Sequence, residues 1–286
     1  MATTTHNPSA RPVPTPNAMR CSAWWRVVRF GLCVVLMSLL ISLLATPWLH
    51  LSWWRVFRRS VSIASAISLW FCIKKLEHRR IRSYGFSAHG AGKRELLFGL
   101  LLGFGVLAIL LGLGLASGTC KIAINPDRVK LWGTVLGFLP LAVLVSVLEE
   151  LAFRGFILQC LMEWSRPLAV AVSSALYSFV HLKTPTLSTS TYLELVGLFL
   201  LGAVLSFSYL RTQQLYLAVG LHASLAYGAR VNKLLIGFPN QSLSWFVGTS
   251  RLVNGLASWM ALLAIGGVLM WWTRSSHRGG VTHGKT

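Results

Sequence analysis

Two adjacent carboxylates stand inside an apolar run that extends from about Leu131 to Met162. Residues Ser146 to Arg154 read Ser-Val-Leu-Glu-Glu-Leu-Ala-Phe-Arg. A charged carboxylate at the centre of a bilayer helix costs about 2.5 to 3.5 kcal/mol even on a mild insertion scale, so it faces a protein interior or a water-filled cavity. The chain holds only seven acidic residues, and two of them are here. On a helix Glu150 and Arg154 are four apart, share a face and can pair. Glu149 lies about 100° round the axis and cannot share that arginine in the same way. One glutamate is neutralised locally and the other is left for chemistry. A purely structural ion pair would need one glutamate, not two.

Two histidines lie within reach of such a carboxylate. His181 closes the segment Tyr177-Ser-Phe-Val-His181, and His222 sits in Gly220-Leu-His-Ala-Ser224. The turn after the glutamate helix is centred near Ser165, and Glu149 lies as far before it as His181 lies after it. Equal arms of an antiparallel hairpin bring the two residues to similar depth. His222 is also expected inside the membrane, a few turns past the preceding loop. A carboxylate and two imidazoles at one depth can do general acid and base work, with pKa values set by burial and neighbours. No nucleophilic Ser/His/Asp set is apparent. A two-histidine, one-carboxylate set could in principle hold zinc. There is no HExxH, however, and the histidines lie on different helices, so neither a metal nor another cofactor is expected.

The elements that must position these residues are membrane helices. The 286 residues are 54% hydrophobic and 12% charged, and several apolar stretches are long enough to cross a hydrocarbon core about 30 Å thick. The fold class is therefore all-α, a polytopic transmembrane bundle of about eight helices. A disordered polar tail over 1–22, a transmembrane domain over 23–273 and a polar basic tail over 274–286 are expected. The helices are placed at about 27–48, 53–73, 95–116, 131–162, 167–181, 192–210, from the turn at 211–214 to about 230, and 252–272. Glycines 99, 103, 105, 112 and 114 in the third suit close helix packing. Tryptophans 24, 25, 53, 54, 271 and 272 fall near helix ends, as in interfacial belts. The net charge of +20 reads as loop lysine and arginine facing anionic lipid, with no nucleic-acid partner. The five cysteines are scattered without metal spacing.

Taken together, Glu149-Glu150-x-x-x-Arg154, an aromatic four residues before His181, and then His222 resemble the CPBP family. This is the family of type II CAAX prenyl proteases and Abi-type proteins, which are intramembrane glutamic endopeptidases. The resemblance covers about residues 130–230. It implies that Glu149 is the general base, oriented with His181, and that His222 supports the oxyanion or the attacking water. Glu150 and Arg154 would hold the helix and tune Glu149. Tyr177 stands where the family usually has phenylalanine. The family's HxxxN or HxxxD element maps to His222 and Ala226, so a methyl group replaces the amide or carboxyl. Losing one oxyanion donor costs about 100- to 1,000-fold in rate. Ser224, Tyr227 and Asn232 are the nearby candidates to replace it.

The implied partners are membrane lipid and a peptide or protein substrate, prenylated or not. The implied location is the bacterial inner membrane, as a multi-pass protein. A non-catalytic Abi-like binding or immunity protein on the same fold is the alternative that Ala226 leaves open. A transporter using the buried glutamate as a proton site is a third reading. It would need further polar helix faces, and outside the cluster the helix interiors are expected to carry almost no ionisable groups.

Overall fold

The computed structural model describes residues 16–86, 91–182, 188–239, 244–248 and 253–279. The helices are α1 (Pro16–Leu49), α2 (Trp53–Phe71), α3 (Ala91–Ala116), α4 (Arg128–Glu150), α5 (Leu158–Leu161), α6 (Arg166–Val180), α7 (Thr189–Thr212), α8 (Tyr216–Leu235), α9 (Ser244–Val247) and α10 (Leu256–Gly279). A π-helical turn, Leu151–Ile157, joins α4 to α5 into one rod, and another, Cys72–Leu76, extends α2. Among the described residues this makes eight long rods and the single turn α9. The only sheet among them is a two-residue antiparallel pairing of β1 (Lys121–Ile122) with β2 (Ile236–Gly237). The all-α bundle of about eight helices is as expected.

Six of these rods are long and apolar enough to cross a membrane, which makes the chain an integral, multi-pass membrane protein. α6 is different. Its 15 residues span about 22 Å at 1.5 Å per residue, short of a core about 30 Å thick. It ends at His181. α8 is less apolar because it is wrapped by other helices: every residue from Leu217 to Ser224 is buried. A helix enclosed by protein needs no lipid-facing surface.

Several boundaries differ from expectation. α10 runs to Gly279, into the segment read as the polar basic tail over 274–286. α1 begins at Pro16, within the segment read as a tail; residues 1–15 of that segment lie outside the described residues. α8 runs on through Arg230, where a polar stretch was expected to begin. The Arg230 guanidinium lies 5.7 Å from the centroid of the Phe138 ring, so the helix carries the charge at its exposed end. The Thr/Ser cluster around Pro185 falls mostly outside the described residues.

Local sequence explains the rod that carries the glutamates. Asp127 caps α4, its carboxylate accepting the Lys130 amide at 2.9 Å, and Asn125 accepts the Asp127 amide at 2.9 Å. These bonds satisfy donors that a helix start leaves open. The rod from Arg128 to Leu161 has 34 residues, about 51 Å at 1.5 Å per residue, and must tilt or bend to fit a bilayer. Pro140 and the π turn are the kinds of feature that bend helices. At its far end the rod is clasped. Arg26 on α1 meets Glu77 at 2.9 Å and Glu163 at 3.0 Å. The Tyr84 phenol donates to Glu77, and Gln159 donates to the Tyr84 carbonyl at 3.2 Å. Burial and the adjacent Glu77 push the Tyr84 phenol well above its usual range, so it remains a donor.

Close packing of α3 on α8 sets the position of His222. A methyl group added at Gly99 would meet the Leu217 carbonyl, and one added at Gly220 would meet the Leu96 carbonyl. One added at Gly103 would strike the Ser224 hydroxyl. Gly114 similarly accommodates Cys120, 2.7 Å from where a Cβ would be. Gly105 and Gly112 face open space instead, so the packing stripe expected along this helix is only partly used. The Trp24, Trp25, Trp53 and Trp271 side chains are exposed, as interfacial residues should be.

Candidate active site

Three helices bring the sequence-predicted residues together. Glu149 and Glu150 end α4, His181 caps α6, and His222 lies in the second turn of α8. His181 Nε2 is 3.4 Å from Glu149 Oε2, and His222 Nε2 is 3.7 Å from the same oxygen. The equal-arm hairpin is visible directly: Ser165 is the N-cap of α6, and Glu149 and His181 face each other across it.

The other ring nitrogens fix the tautomers. His181 Nδ1 is 2.8 Å from the Tyr177 carbonyl, which can only accept, so Nδ1 carries the proton. His222 Nδ1 is 2.8 Å from Glu150 Oε1, and a carboxylate there accepts likewise. Both Nε2 atoms are thereby turned toward Glu149. A carboxylate oxygen and two imidazole nitrogens converge on one small region, where a water or a substrate carbonyl could be held.

Glu150 has no such freedom. Its Oε1 also accepts from Arg154 Nη1 at 2.8 Å, and both side chains are fully buried. Arg154 Nη2 donates to the Gly202 carbonyl at 3.0 Å. Gly202 lets α7 come this close: a Cβ there would lie 2.9 Å from Ser174 Cα on α6. The guanidinium also stands 4.8 Å from the Tyr177 ring centroid, within cation–π range. Arg154 lies in the π turn directly after the glutamate pair, and such turns frequently mark functional sites. The pairing of Glu150 with Arg154 is as the spacing predicted. The bond from His222 to Glu150 is not, because nothing in the sequence ties a residue on α8 to one glutamate rather than the other.

The site borders two cavities rather than one. A cavity of about 170 Å³ is lined by Tyr177, His181, His222 and Ala226, and by aliphatic residues of α3, α7 and α10. A second, of about 420 Å³, lies between α1, α2, α4 and α6 and is lined by Glu149 with apolar residues including Val27, Ala66 and Val172. Glu150 and Arg154 line neither cavity. They form a buried support behind the histidine, not part of the open wall.

The three expected substitutes for an amide at Ala226 are not placed for it. Ser224 donates to the Leu221 carbonyl at 2.9 Å and faces α3. Tyr227 donates to the Val135 carbonyl at 2.8 Å. Asn232 is not among the residues lining the cavity of His222. The Tyr177 hydroxyl, which sequence reasoning passed over as part of an aromatic ring, is 3.3 Å from His222 Nε2.

Two buried carboxylates were also missed. Glu194, on the first turns of α7, lines the smaller cavity and is 4% exposed; Glu95 near the start of α3 is 7% exposed. Hydropathy reads residues this close to a helix start as interfacial. Only the packing of neighbouring helices shows that they are covered. The expectation that helix interiors are otherwise nearly free of ionisable groups is corrected accordingly.

Residues 131–227 match the family model described as type II CAAX prenyl endopeptidase Rce1-like. This bears out the resemblance read from the motifs, and the matched segment contains Glu149, Glu150, Arg154, Tyr177, His181 and His222. A comparison with curated proteins finds no match.

Proposed function

We propose that this protein is an intramembrane endopeptidase resembling the type II CAAX prenyl proteases, in which Glu149 activates water for attack on a peptide carbonyl. The observation that carries the reading is the division between the two glutamates. Glu150 is committed to Arg154 and to His222 Nδ1. Glu149 faces two Nε2 atoms and opens to a cavity. A general base must reach its water while staying oriented, and Glu149 is the carboxylate that meets both conditions.

In the first step Glu149 takes a proton from water as the oxygen attacks the carbonyl carbon. His181, held by its Nδ1 bond to the Tyr177 carbonyl, stands beside Glu149 and bounds the place where that water sits. His222, held by Glu150, presents Nε2 to the same region, where it can accept from the attacking water. Collapse of the tetrahedral intermediate breaks the C–N bond, and the proton on Glu149 passes to the leaving amine. Glu150 and Arg154 position His222 and touch no reacting atom. The substrate is a peptide or protein bearing a hydrocarbon chain: the larger cavity is nearly all apolar, reaches Glu149 and lies between membrane helices. Such a chain gains about 0.8 kcal/mol per buried methylene. The membrane is the bacterial inner membrane, where the basic loops lie against anionic lipid.

The test is cleavage of prenylated and unprenylated peptides in liposomes, with Glu149→Gln as control. Cleavage that disappears in this variant, with thermal stability unchanged, supports the reading. An intact Glu149→Gln activity would end it. Ala226 favours one second reading, a non-catalytic Abi-like binding or immunity protein on the same fold. That reading is supported if the folded wild type cleaves neither peptide but still binds a membrane partner.

A further inference from the structure

Resting on the peptidase reading, we propose that the Tyr177 hydroxyl is a catalytic hydrogen-bond donor to the oxyanion. It would stand in for the side chain that Ala226 lacks.

Three observations place it there. The hydroxyl is 3.3 Å from His222 Nε2, so it lies at the nitrogen that faces the reacting region. Tyr177 and Ala226 line the same cavity, together with His181 and His222. The ring itself is held by three neighbours. Arg154 lies over one face at 4.8 Å, Phe153 meets it edge-on with centroids 5.2 Å apart, and the His181 ring is 4.3 Å away. A ring fixed in this way presents its hydroxyl at a defined point, which is what electrostatic preorganisation requires.

The chemistry follows from the hydrogen-bond inventory. With Nδ1 of His222 protonated toward Glu150, Nε2 of the neutral ring accepts, so the phenol donates to it at rest. At 3.3 Å this bond is longer than a good O–H donor makes, and redirecting it costs little. When water attacks, its proton goes to Glu149 and the carbonyl π electrons move to oxygen. The Tyr177 O–H then turns from Nε2 to that oxygen. The phenolic proton stays on tyrosine throughout. As the C–N bond breaks, the electron pair returns to the carbonyl, and the amine takes its proton from Glu149. Buried in a site of low dielectric, such a donor is worth far more than in water. The Ser258 hydroxyl also borders this cavity, but it belongs to α10 and no contact ties it to either histidine.

The test compares wild type, Tyr177→Phe, Ala226→Asn and the double variant in liposomes, with thermal stability measured for each. Removing the hydroxyl keeps the ring and its packing. The expected result for Tyr177→Phe is a fall in kcat of about 100- to 1,000-fold with KM nearly unchanged. Ala226→Asn in that background should recover at least about tenfold, because it adds a donor beside the same cavity. A kcat within about threefold of wild type in Tyr177→Phe would overturn the proposal. So would a loss that Ala226→Asn does not repair and that comes with a displaced pH–rate profile, since this would mean that the hydroxyl only orients His222.

A binding measurement separates this failure from failure of the peptidase reading. A peptide phosphinate, whose anionic oxygen mimics the tetrahedral oxyanion, should bind wild type at least about tenfold more tightly than Tyr177→Phe. The matching uncleaved amide peptide should bind both alike. If wild type turns over no peptide yet shows this difference, the donor role stands and the peptidase reading falls. If the phosphinate binds both proteins equally, the donor role falls whatever the turnover.

Discussion

His222 is anchored by Glu150, not by Glu149: its Nδ1 lies 2.8 Å from Glu150 Oε1, whereas its Nε2 stands 3.7 Å from Glu149. The second glutamate therefore links Arg154 on the π turn to the imidazole on α8. It supports the site from behind while the first faces the cavity. This separates two kinds of failure that mutagenesis should resolve.

Arg154→Ala should destabilise the protein by about 3 to 5 kcal/mol, because it leaves a buried carboxylate without its partner. Glu150→Ala should do the same to the guanidinium and also release His222. Both should lower abundance and the midpoint of thermal unfolding in detergent. Glu149→Gln should leave both near wild type and remove cleavage. Equal losses of abundance for Glu149→Gln and Glu150→Gln would contradict this division.

The α3–α8 contact offers a test far from the chemistry. Gly220 and Gly99 let two backbones touch, and Gly220 is two residues before His222. Gly220→Val would wedge the helices apart. Overpacking of this kind costs about 1 to 3 kcal/mol, and a displacement of even 1 Å at a catalytic group can cost about 100-fold in rate. Gly105→Val, which meets open space, should change neither stability nor cleavage. Loss of activity in both variants alike would show that helix propensity, not packing, is responsible.

Much of this arrangement was legible in the sequence for a physical reason. A carboxylate pair in an apolar run is costly enough to demand a partner, and four-residue spacing names Arg154. Equal hairpin arms then place His181 opposite Glu149. The rest depends on distances that no local pattern encodes. That His222 bonds Glu150 is set by how closely α8 approaches α4. The Tyr177 hydroxyl matters because the α6 helix turns that ring toward α8. Glu194 looks interfacial until its burial beside the smaller cavity is seen. The π turn after Glu150 leaves no recognisable residue signature in Leu-Ala-Phe-Arg-Gly-Phe-Ile.

Cleavage should not depend on a metal ion. In the proposed mechanism Glu149 itself takes the proton from water, so no metal ion is needed to activate it. His222 Nδ1 and His181 Nδ1 are committed to protein acceptors, and their Nε2 atoms face Glu149, the proposed general base. Dialysis against EDTA should leave kcat within about twofold, a difference small beside the tenfold that 1.4 kcal/mol represents. Loss of activity on chelation, with recovery on added zinc, would replace the general-base mechanism by a metal-centred one.

The larger cavity should govern preference for lipidated substrates. It has about 420 Å³, is bounded mainly by aliphatic side chains, and meets the candidate site only at Glu149. A hydrocarbon chain lying there would hold the scissile bond near that carboxylate, at a gain of about 0.8 kcal/mol per buried methylene. Ala66 on α2 lines this cavity and lies on none of the helices that carry the candidate site residues. Ala66→Phe would fill part of the space without touching the histidines. The expected outcome is a KM for a prenylated peptide raised by about tenfold or more, with kcat and all constants for the unprenylated peptide unchanged. Such a pattern marks lost binding of the chain that does not act on the chemical step. A variant that slows both peptides equally would instead mean that the cavity supports Glu149 and holds no lipid. One with no effect on either would place the hydrocarbon chain outside the protein, in the surrounding bilayer.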